Sequence, residues 1–356
     1  MDDRSSVDAR TDPVPDRHRR PSDEWLGGRR PPHPVTPVVA LAPDGLPGIR
    51  NGVQRTMRRI FGERSAMADA DPDPGLCGPG SSSWRIIAEP AAIAGGVRAL
   101  VLQTLHPLAM AGVAAHSRDR ADPLARLRST SLWVTTATFG TTTQVLDAAR
   151  VVRRAHGAVH GRAPDGRIYR AGDPPLLVWV SIALTSSFLA ADRLWSPRPV
   201  PRPVADAFVA EQSRLAALLD ERVDVQGLGR DAGAADALRT GQIDLPLLGD
   251  LPTSVDELIA TLDGYVPDLH AGAQARDVVR FLRWPPLPPT VRAAYLPLFA
   301  GAVGSLPAWQ RRMLGLPTGR IAATAAVANT ATVLDALRSA AGPSPAYQAA
   351  RRRTAA

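Results

Sequence analysis

Apolar residues recur at intervals of three and four along most of the chain between residues 51 and 341, in segments rich in alanine and leucine. This spacing places apolar side chains on one face of a helix, and few segments alternate apolar and polar residues as half-buried strands do. No period of 20–50 residues repeats, which argues against a solenoid. The pattern predicts an all-α fold with a single large helical domain over residues 51–341.

Proline and capping residues mark the ends of the predicted helices. The His106–Pro107 step interrupts a long apolar segment, because the residue before a proline disfavours helical backbone. Asp122–Pro123 and Asp173–Pro174 each place an N-cap residue before a proline in the first turn. Ser254 and Glu257 have the spacing of a capping box. Further helices are predicted over residues 91–105, 143–159, 204–220, 290–303 and 321–337.

The two ends of the chain lack this helical pattern. Residues 1–50 alternate charged residues with prolines and have no apolar period, which predicts a disordered or loosely packed arm. Residues 342–356, which end in Arg-Arg-Arg-Thr-Ala-Ala, are interpreted as a flexible tail.

Residues 174–191 form an uncharged segment about as long as the ~17–20 residues that cross a bilayer. The segment contains Ser181, Thr185 and Ser186 and stands alone in the sequence. A helix buried on all sides in a large helical domain has the same composition, and we expect this interpretation rather than a membrane span.

Composition narrows the possible partners and compartments. The net charge is +8, yet the 42 basic residues are all arginine, so mechanisms that require a lysine are excluded. The arginines are mixed with acids and aromatic residues make up only 5% of the chain, so no nucleic acid partner is expected. The one cysteine, Cys77, and the absence of a secretory signal pattern favour a cytoplasmic protein.

His156 is the strongest candidate for chemistry. In the helix predicted over residues 143–159 it continues an apolar face, so its ring should point inward, and His160 follows one turn later. An inward histidine is either hydrogen-bonded in the core or a ligand to iron or zinc. The two histidines together could also hold a metal, but the glutamate of the HExxH zinc motif is missing, which excludes that metalloprotease class.

A second candidate pair is Arg126 and Thr130, which are four residues apart and share a helix face. They could bind an anion, a haem propionate or iron-bound oxygen, or be an exposed arginine beside a packed threonine. In the stretch LQTLHP, His106 could simply cap a helix end. The chain has no GxSxG, GxGxxG or Walker motif, so the usual signatures of hydrolases and nucleotide-dependent enzymes are missing.

The order of several motifs resembles one protein family. These motifs are GPGSSSWRI (78–86), GGVRALVLQTLHPLAMAGVAAHS (95–117), DPLARLRST (122–130), RAHGAVHG (154–161), GRIYRAGDPPLLVWV (166–180), DLPTSVDEL (250–258) and LPAWQRRMLG (306–315). Together they are similar to the catalytic domain shared by MpaB-type oxygenases and the latex-clearing proteins, or rubber oxygenases. The similarity runs from about residue 61 to residue 316, and residues 221–245 look like an insertion.

The resemblance implies an all-helical fold with a buried pocket for one b-type haem, held through a single histidine, and oxygen activation at its iron. The family's HxxVxG motif matches His156, Val159 and Gly161, which implies that His156 is the axial ligand, with His160 as the fallback. The RxxxT pair beside the haem of rubber oxygenases matches Arg126 and Thr130. Characterised relatives cleave isoprenoid double bonds, which implies O2 and a hydrophobic small molecule as reactants.

Three family positions differ in this chain. Ser129 stands where rubber oxygenases have a lysine, no acid near Met110 matches their glutamate base, and Ser181 replaces the histidine of a WVH triplet. We therefore hypothesise a haem-dependent oxygenase for a hydrophobic, isoprenoid-like substrate, with rubber-like cleavage left open. The alternatives are a non-enzymatic helical module that binds haem or a lipophilic ligand, and a non-haem metal enzyme. Peripheral membrane contact through the arginine-rich ends is a further hypothesis.

Overall fold

The computed structural model describes residues 24–30, 72–116 and 125–355, without the side chains of residues 116, 125–127, 232 and 290. These residues are mostly helical, as predicted. The helices are α1 (Ser82–Ile87), α2 (Ala91–Gln103), α3 (Pro107–His116), α4 (Ala125–Phe139), α5 (Thr142–Gly157), α6 (Pro174–Trp195), α7 (Arg202–Ala217), α8 (Val225–Arg230), α9 (Ala232–Thr240), α10 (Val255–Tyr265), α11 (Ala273–Arg283), α12 (Pro289–Gly304), α13 (Ala308–Met313), α14 (Arg320–Ala341) and α15 (Pro345–Ala355).

Helix α6 forms the centre of the domain and packs extensively against α2. It begins after Asp173, with prolines in its first turn, and most of its side chains are buried. Gly95 of α2 allows a close approach, since a Cβ there would lie 3.0 Å from the Cβ of Ala191. Of the described helices, α6 alone is long and apolar enough to cross a membrane unaided, and 78% of its apolar window is buried in the protein. This degree of burial is typical of the core helix expected for α6 from the sequence.

The predicted break at His106–Pro107 separates α2 from α3, and the two helix axes differ by 99°. The turn is closed by backbone hydrogen bonds from Thr104 and Leu105 to the carbonyls at the end of α2. The bend directs α3 away from the α2–α6 pair and towards the segment that follows α5, with which it is in contact.

A short β-hairpin corrects the all-α prediction. Strands β1 (His160–Arg162) and β2 (Ile168–Arg170) pair antiparallel, with Gly161 opposite Tyr169. Gly166 in the connecting turn has a φ of 87°, a left-handed conformation that glycine adopts without strain. Each strand has only three residues, too few to show an alternating pattern in the sequence.

Both predicted loose ends contain ordered, buried segments. In the arm, Trp25 is only 2% exposed; its Nε1 donates to Asp263 Oδ1 (2.8 Å), and its carbonyl accepts from Arg98 Nη2 (2.6 Å). At the other end, α15 packs Ala346 and Ala350 against the cluster around Trp84 and Phe139. Residues 345–355 of the predicted tail are thus helical, and small apolar residues recur on one face of this helix. The Asp122–Pro123 cap lies outside the described residues.

Candidate functional site

The candidate site is at the carboxyl end of α5. This helix starts with a complete capping box, in which the Thr141 side chain accepts from Gln144 N and the Gln144 side chain accepts from Thr141 N. Its buried face consists of Val145, Leu146 and Ala149. The same face continues into the last turn of the helix, so the sequence places His156 on the inner side of α5.

His156 is half-buried, and its Nδ1 atom is shielded from solvent. The helix ends one residue later, at Gly157, and the chain turns so that Val159 N donates to the His156 carbonyl (2.9 Å). An imidazole at this position has one nitrogen inside the protein and can be held in a fixed orientation from that side. Its predicted role as the axial ligand stays a prediction.

His160 is in a different environment from His156. The sequence interpretation placed it one helical turn after His156, but α5 has ended and His160 begins strand β1, with an exposed side chain. Its Nδ1 lies 3.2 Å from the Gly157 carbonyl. The i, i+4 argument for a shared metal therefore does not apply. Among the described residues, no group of three or more His, Cys, Asp or Glu side chains could hold a metal ion.

The glycine of the HxxVxG motif has a packing role. A Cβ on Gly161 would lie 2.9 Å from the hydroxyl oxygen of Tyr169, so only glycine lets the tyrosine ring lie across β1. The ring also lies close to Gly112 of α3, where a Cβ would be 3.5 Å from Tyr169 Cε2. Tyr169 is 2% exposed and packs with Ala111 and Leu176. Tyr169 therefore joins the hairpin to α3 and fixes the segment that follows His156.

Helix α4 carries the second candidate pair, Arg126 and Thr130, in its first two turns. It packs against α5, and Gly140 and Thr141 connect the two helices. Thr130 is half-buried, whereas the side chain of Arg126 lies outside the described residues.

The LQTLHP stretch forms a buried aromatic cluster, which we call the His106 cluster: His106, Trp179 and Tyr265. Ring centroids lie 5.6 Å apart for His106 and Trp179 and 5.4 Å apart for Trp179 and Tyr265. Ala109 N donates to His106 Nδ1 (3.4 Å), so the imidazole caps the start of α3. Burial lowers the pKa of His106 to about 4, which keeps the ring neutral near pH 7.

Two hydrogen bonds to backbone carbonyls hold the other rings of the His106 cluster in place. The indole of Trp179 donates to the Gln103 carbonyl (3.4 Å), and the Tyr265 hydroxyl donates to the Pro175 carbonyl (2.7 Å). The side-chain amide nitrogen of Gln103 is buried and has no hydrogen-bond partner among the described residues. Neither Trp179 nor Tyr265 was a sequence candidate. Trp179 follows the apolar face of α6, whereas Tyr265 is distant in sequence and carries no motif that would have identified it.

The positions at which the chain departs from the rubber oxygenase pattern are dispersed. Ser129 is exposed on α4, Met110 is buried on α3, and Ser181 is buried on α6. A groove of about 330 Å³ lies elsewhere, between α5 and α8, and is lined by Leu146, Arg150 and Arg230 with three polar or small neighbours. None of the predicted site residues lines this groove.

A family model matches most of the chain. Residues 84–338 match the family model described as ER-bound oxygenase mpaB/B'/Rubber oxygenase, catalytic domain. The matched range includes α2 to α6, with His106, His156 and the hairpin, and ends within α14. No curated protein and no solved structure matches the chain.

Proposed function

Because the chain belongs to the catalytic-domain family of MpaB-type and rubber oxygenases, we propose that it is a haem-dependent oxygenase that acts on a hydrophobic substrate. The observation that carries the proposal is the half-buried His156 at the end of α5, inside the matched domain. Isoprenoid compounds are the first substrate class to test, since the family resemblance points to them.

The residues at this position fit a histidine that would hold a metal. An imidazole must offer an unprotonated nitrogen to a metal, and a ring whose other nitrogen is held inside the protein is oriented for that purpose. His156 keeps Nδ1 shielded from solvent, so Nε2 is the nitrogen that would bind the iron. Haem would supply the iron at which oxygen is activated.

The neighbouring residues would orient what binds there. Arg126 would contribute a positive charge for a carboxylate, such as a propionate, and Thr130 a hydroxyl donor, both from the start of α4. Tyr169 packs between Gly112 and Gly161 and so holds the segment that follows His156. This packing limits movement at the carboxyl end of α5. The chain lacks the lysine of rubber oxygenases, so our proposal covers oxygenation of a hydrophobic substrate and leaves the bond attacked unspecified.

An absorption spectrum of the purified protein, produced with sufficient iron and haem precursor, tests the proposal. We expect a Soret band that His156→Ala abolishes or strongly shifts. His160→Ala is the matched control, since it removes the same ring from an exposed position four residues away, and it should leave the band unchanged. A colourless wild-type protein, or loss of the band only in the His160 variant, would contradict the assignment.

Oxygen uptake separates an oxygenase from a binding module. The haem-loaded protein should consume oxygen when it is given prenyl lipids of increasing chain length, and His156→Ala should not. Stable haem without oxygen consumption across such a panel would favour the non-enzymatic alternative.

A further inference from the structure

The β-hairpin that follows His156 has two different faces. The cross-strand register pairs His160 with Arg170 and Arg162 with Ile168, and these four side chains are all exposed. Gly161 and Tyr169, which alternate with them, face inward. We call these four exposed side chains, His160, Arg162, Ile168 and Arg170, the outer hairpin face. It contains two arginines, an imidazole and an apolar side chain, and no acid.

The charge of this face is not neutralised locally. Among the described residues, neither Arg162 nor Arg170 makes an ion pair, and the acid of the connecting turn, Asp165, is paired with Arg167 (2.8 Å). Residues 150–173, which include the hairpin and the end of α5, contain six arginines and two aspartates, a net charge of +4. The segment therefore presents a cationic surface next to the candidate site.

Ile168 adds an apolar group to this cationic surface. Its side chain is 68% exposed, one of the few large hydrophobic side chains so exposed on the described surface. The register places it directly opposite Arg162, at the end of the hairpin nearest the turn. An apolar side chain flanked by arginines can enter the boundary between headgroups and acyl chains while the guanidinium groups remain with the phosphates.

We infer that the outer hairpin face docks the protein onto an anionic phospholipid bilayer. The guanidinium groups of Arg162 and Arg170 would contact lipid phosphates, and Ile168 would insert its side chain at the interface. This contact is peripheral, since α6 is buried as a core helix. The docking proposal depends only on the side chains of the outer hairpin face. If docking also delivers a lipophilic substrate to His156, that second step depends on the proposed function.

This assignment differs from the expectation that the arginine-rich ends contact lipid. Of the three arginines at residues 351–353, Arg353 is buried and donates to the carbonyls of Asp73 (2.9 Å) and Phe139 (2.8 Å). Only Arg351 and Arg352 are exposed there, and no exposed large hydrophobic side chain lies on α15. Helix α15 therefore provides charge without an exposed large hydrophobic side chain. The arginines at positions 17, 19 and 20 lie outside the described residues.

Vesicle flotation with the full chain tests the proposal. Vesicles of phosphatidylcholine alone are compared with vesicles that also contain phosphatidylglycerol, at low and high salt. We expect binding only to the anionic vesicles and weaker binding at high salt, because screening shortens the range of the attraction.

Arg162→Gln combined with Arg170→Gln should reduce the partition coefficient roughly 25-fold, about fivefold for each arginine. Ile168→Ser should reduce it roughly fivefold.

Two control variants match these changes. Arg351→Gln combined with Arg352→Gln removes the same charge from the chain end, and Ile321→Ser removes an apolar side chain that is 89% exposed on α14. Both should bind vesicles like the wild type. Near-ultraviolet circular dichroism should be unchanged in all four variants, because every altered side chain is exposed.

Several outcomes would overturn the proposal: no binding to anionic vesicles, equal losses in hairpin and control variants, or binding to nucleic acid in place of vesicles. The result is independent of the haem test. If the protein binds anionic vesicles but shows no Soret band, the docking proposal is supported and the proposed function is contradicted. If it shows a Soret band but does not bind anionic vesicles, only the proposed function is supported.

Discussion

His106 and His156 are two histidines of the matched domain in contrasting environments. His106 is buried at a helix bend, packs against two aromatic rings and uses its Nδ1 to cap α3. His156 is half-buried at a helix end, and its Nδ1 is shielded from solvent. A ring packed among aromatic side chains at a helix bend contributes to the stability of the fold. The comparison therefore predicts that His106 supports the fold, whereas the role we propose for His156 is in chemistry.

Removing the largest ring of the His106 cluster should have the greatest effect on stability. Trp179 is fully buried, and Trp179→Ala should lower the free energy of unfolding by about 3–5 kcal/mol, because it leaves a cavity in the centre of the domain. Urea denaturation measures the change. In the haem-free protein, His156→Ala should cost less than about 1 kcal/mol. Similar losses for both variants would remove the distinction between the two regions.

The pH dependence of stability should come from His106. Its pKa is about 4 in the folded protein and about 6.5 when unfolded, so the unfolded chain binds a proton first as pH falls. Stability should therefore fall as the pH drops from about 6.5 through 4, by about 3 kcal/mol in total, and this contribution should become constant at pH values well below 4.

His106→Asn checks this assignment. Asparagine can still cap α3 but does not titrate, so its unfolding free energy should be lower overall and vary less over the same pH range. An unchanged pH slope in this variant would show that other groups are responsible.

A glycine comparison tests how His156 is positioned. Gly161→Ala should cost about 1–3 kcal/mol, because its Cβ would contact the Tyr169 hydroxyl and force the ring to move. The cost should be smaller when Tyr169→Phe is also present, which a double-mutant cycle measures. At Gly157, next to His156, an added Cβ meets nothing within 4 Å, so Gly157→Ala should be neutral or slightly stabilising. Equal costs at both glycines would contradict the packing role.

The smallest effect should be on the outer hairpin face. Ile168→Ser should change the free energy of unfolding by less than about 0.5 kcal/mol, since the side chain is mostly exposed. The neighbouring Tyr169→Ala should cost about 3–5 kcal/mol, because that ring is buried. Thermal or urea unfolding of the two variants compares the faces directly. A large loss for Ile168→Ser would mean that the outer face supports the fold.

Much of the local structure was predictable from residue types. The helix break at His106–Pro107, the start of α6 after Asp173 and the buried face of α5 all follow from proline geometry and apolar spacing. Membership of the oxygenase family was also indicated by the order of motifs and is shown by the family match over residues 84–338. Such features depend on neighbours within a few residues, which the sequence displays directly.

Contacts between distant residues were not predictable in this way. The burial of Trp25 depends on Asp263 and Arg98, and the burial of α15 depends on Trp84 and Phe139. The hairpin was missed because strands of three residues are defined by their pairing and not by a pattern. For the same reason the prediction that His160 lies one helical turn beyond His156 was wrong.

The sequence by itself determined that this chain is helical, that His156 lies on the inner face of its helix and that the motifs follow the order of one oxygenase family. Tertiary structure decided that His106 is a neutral cap within an aromatic cluster, that His160 faces solvent and that the hairpin presents arginines beside an exposed isoleucine. The physical reason is that helix formation depends on spacing along the chain. Burial, the pKa of His106 and the direction of each side chain depend on which distant segments pack together.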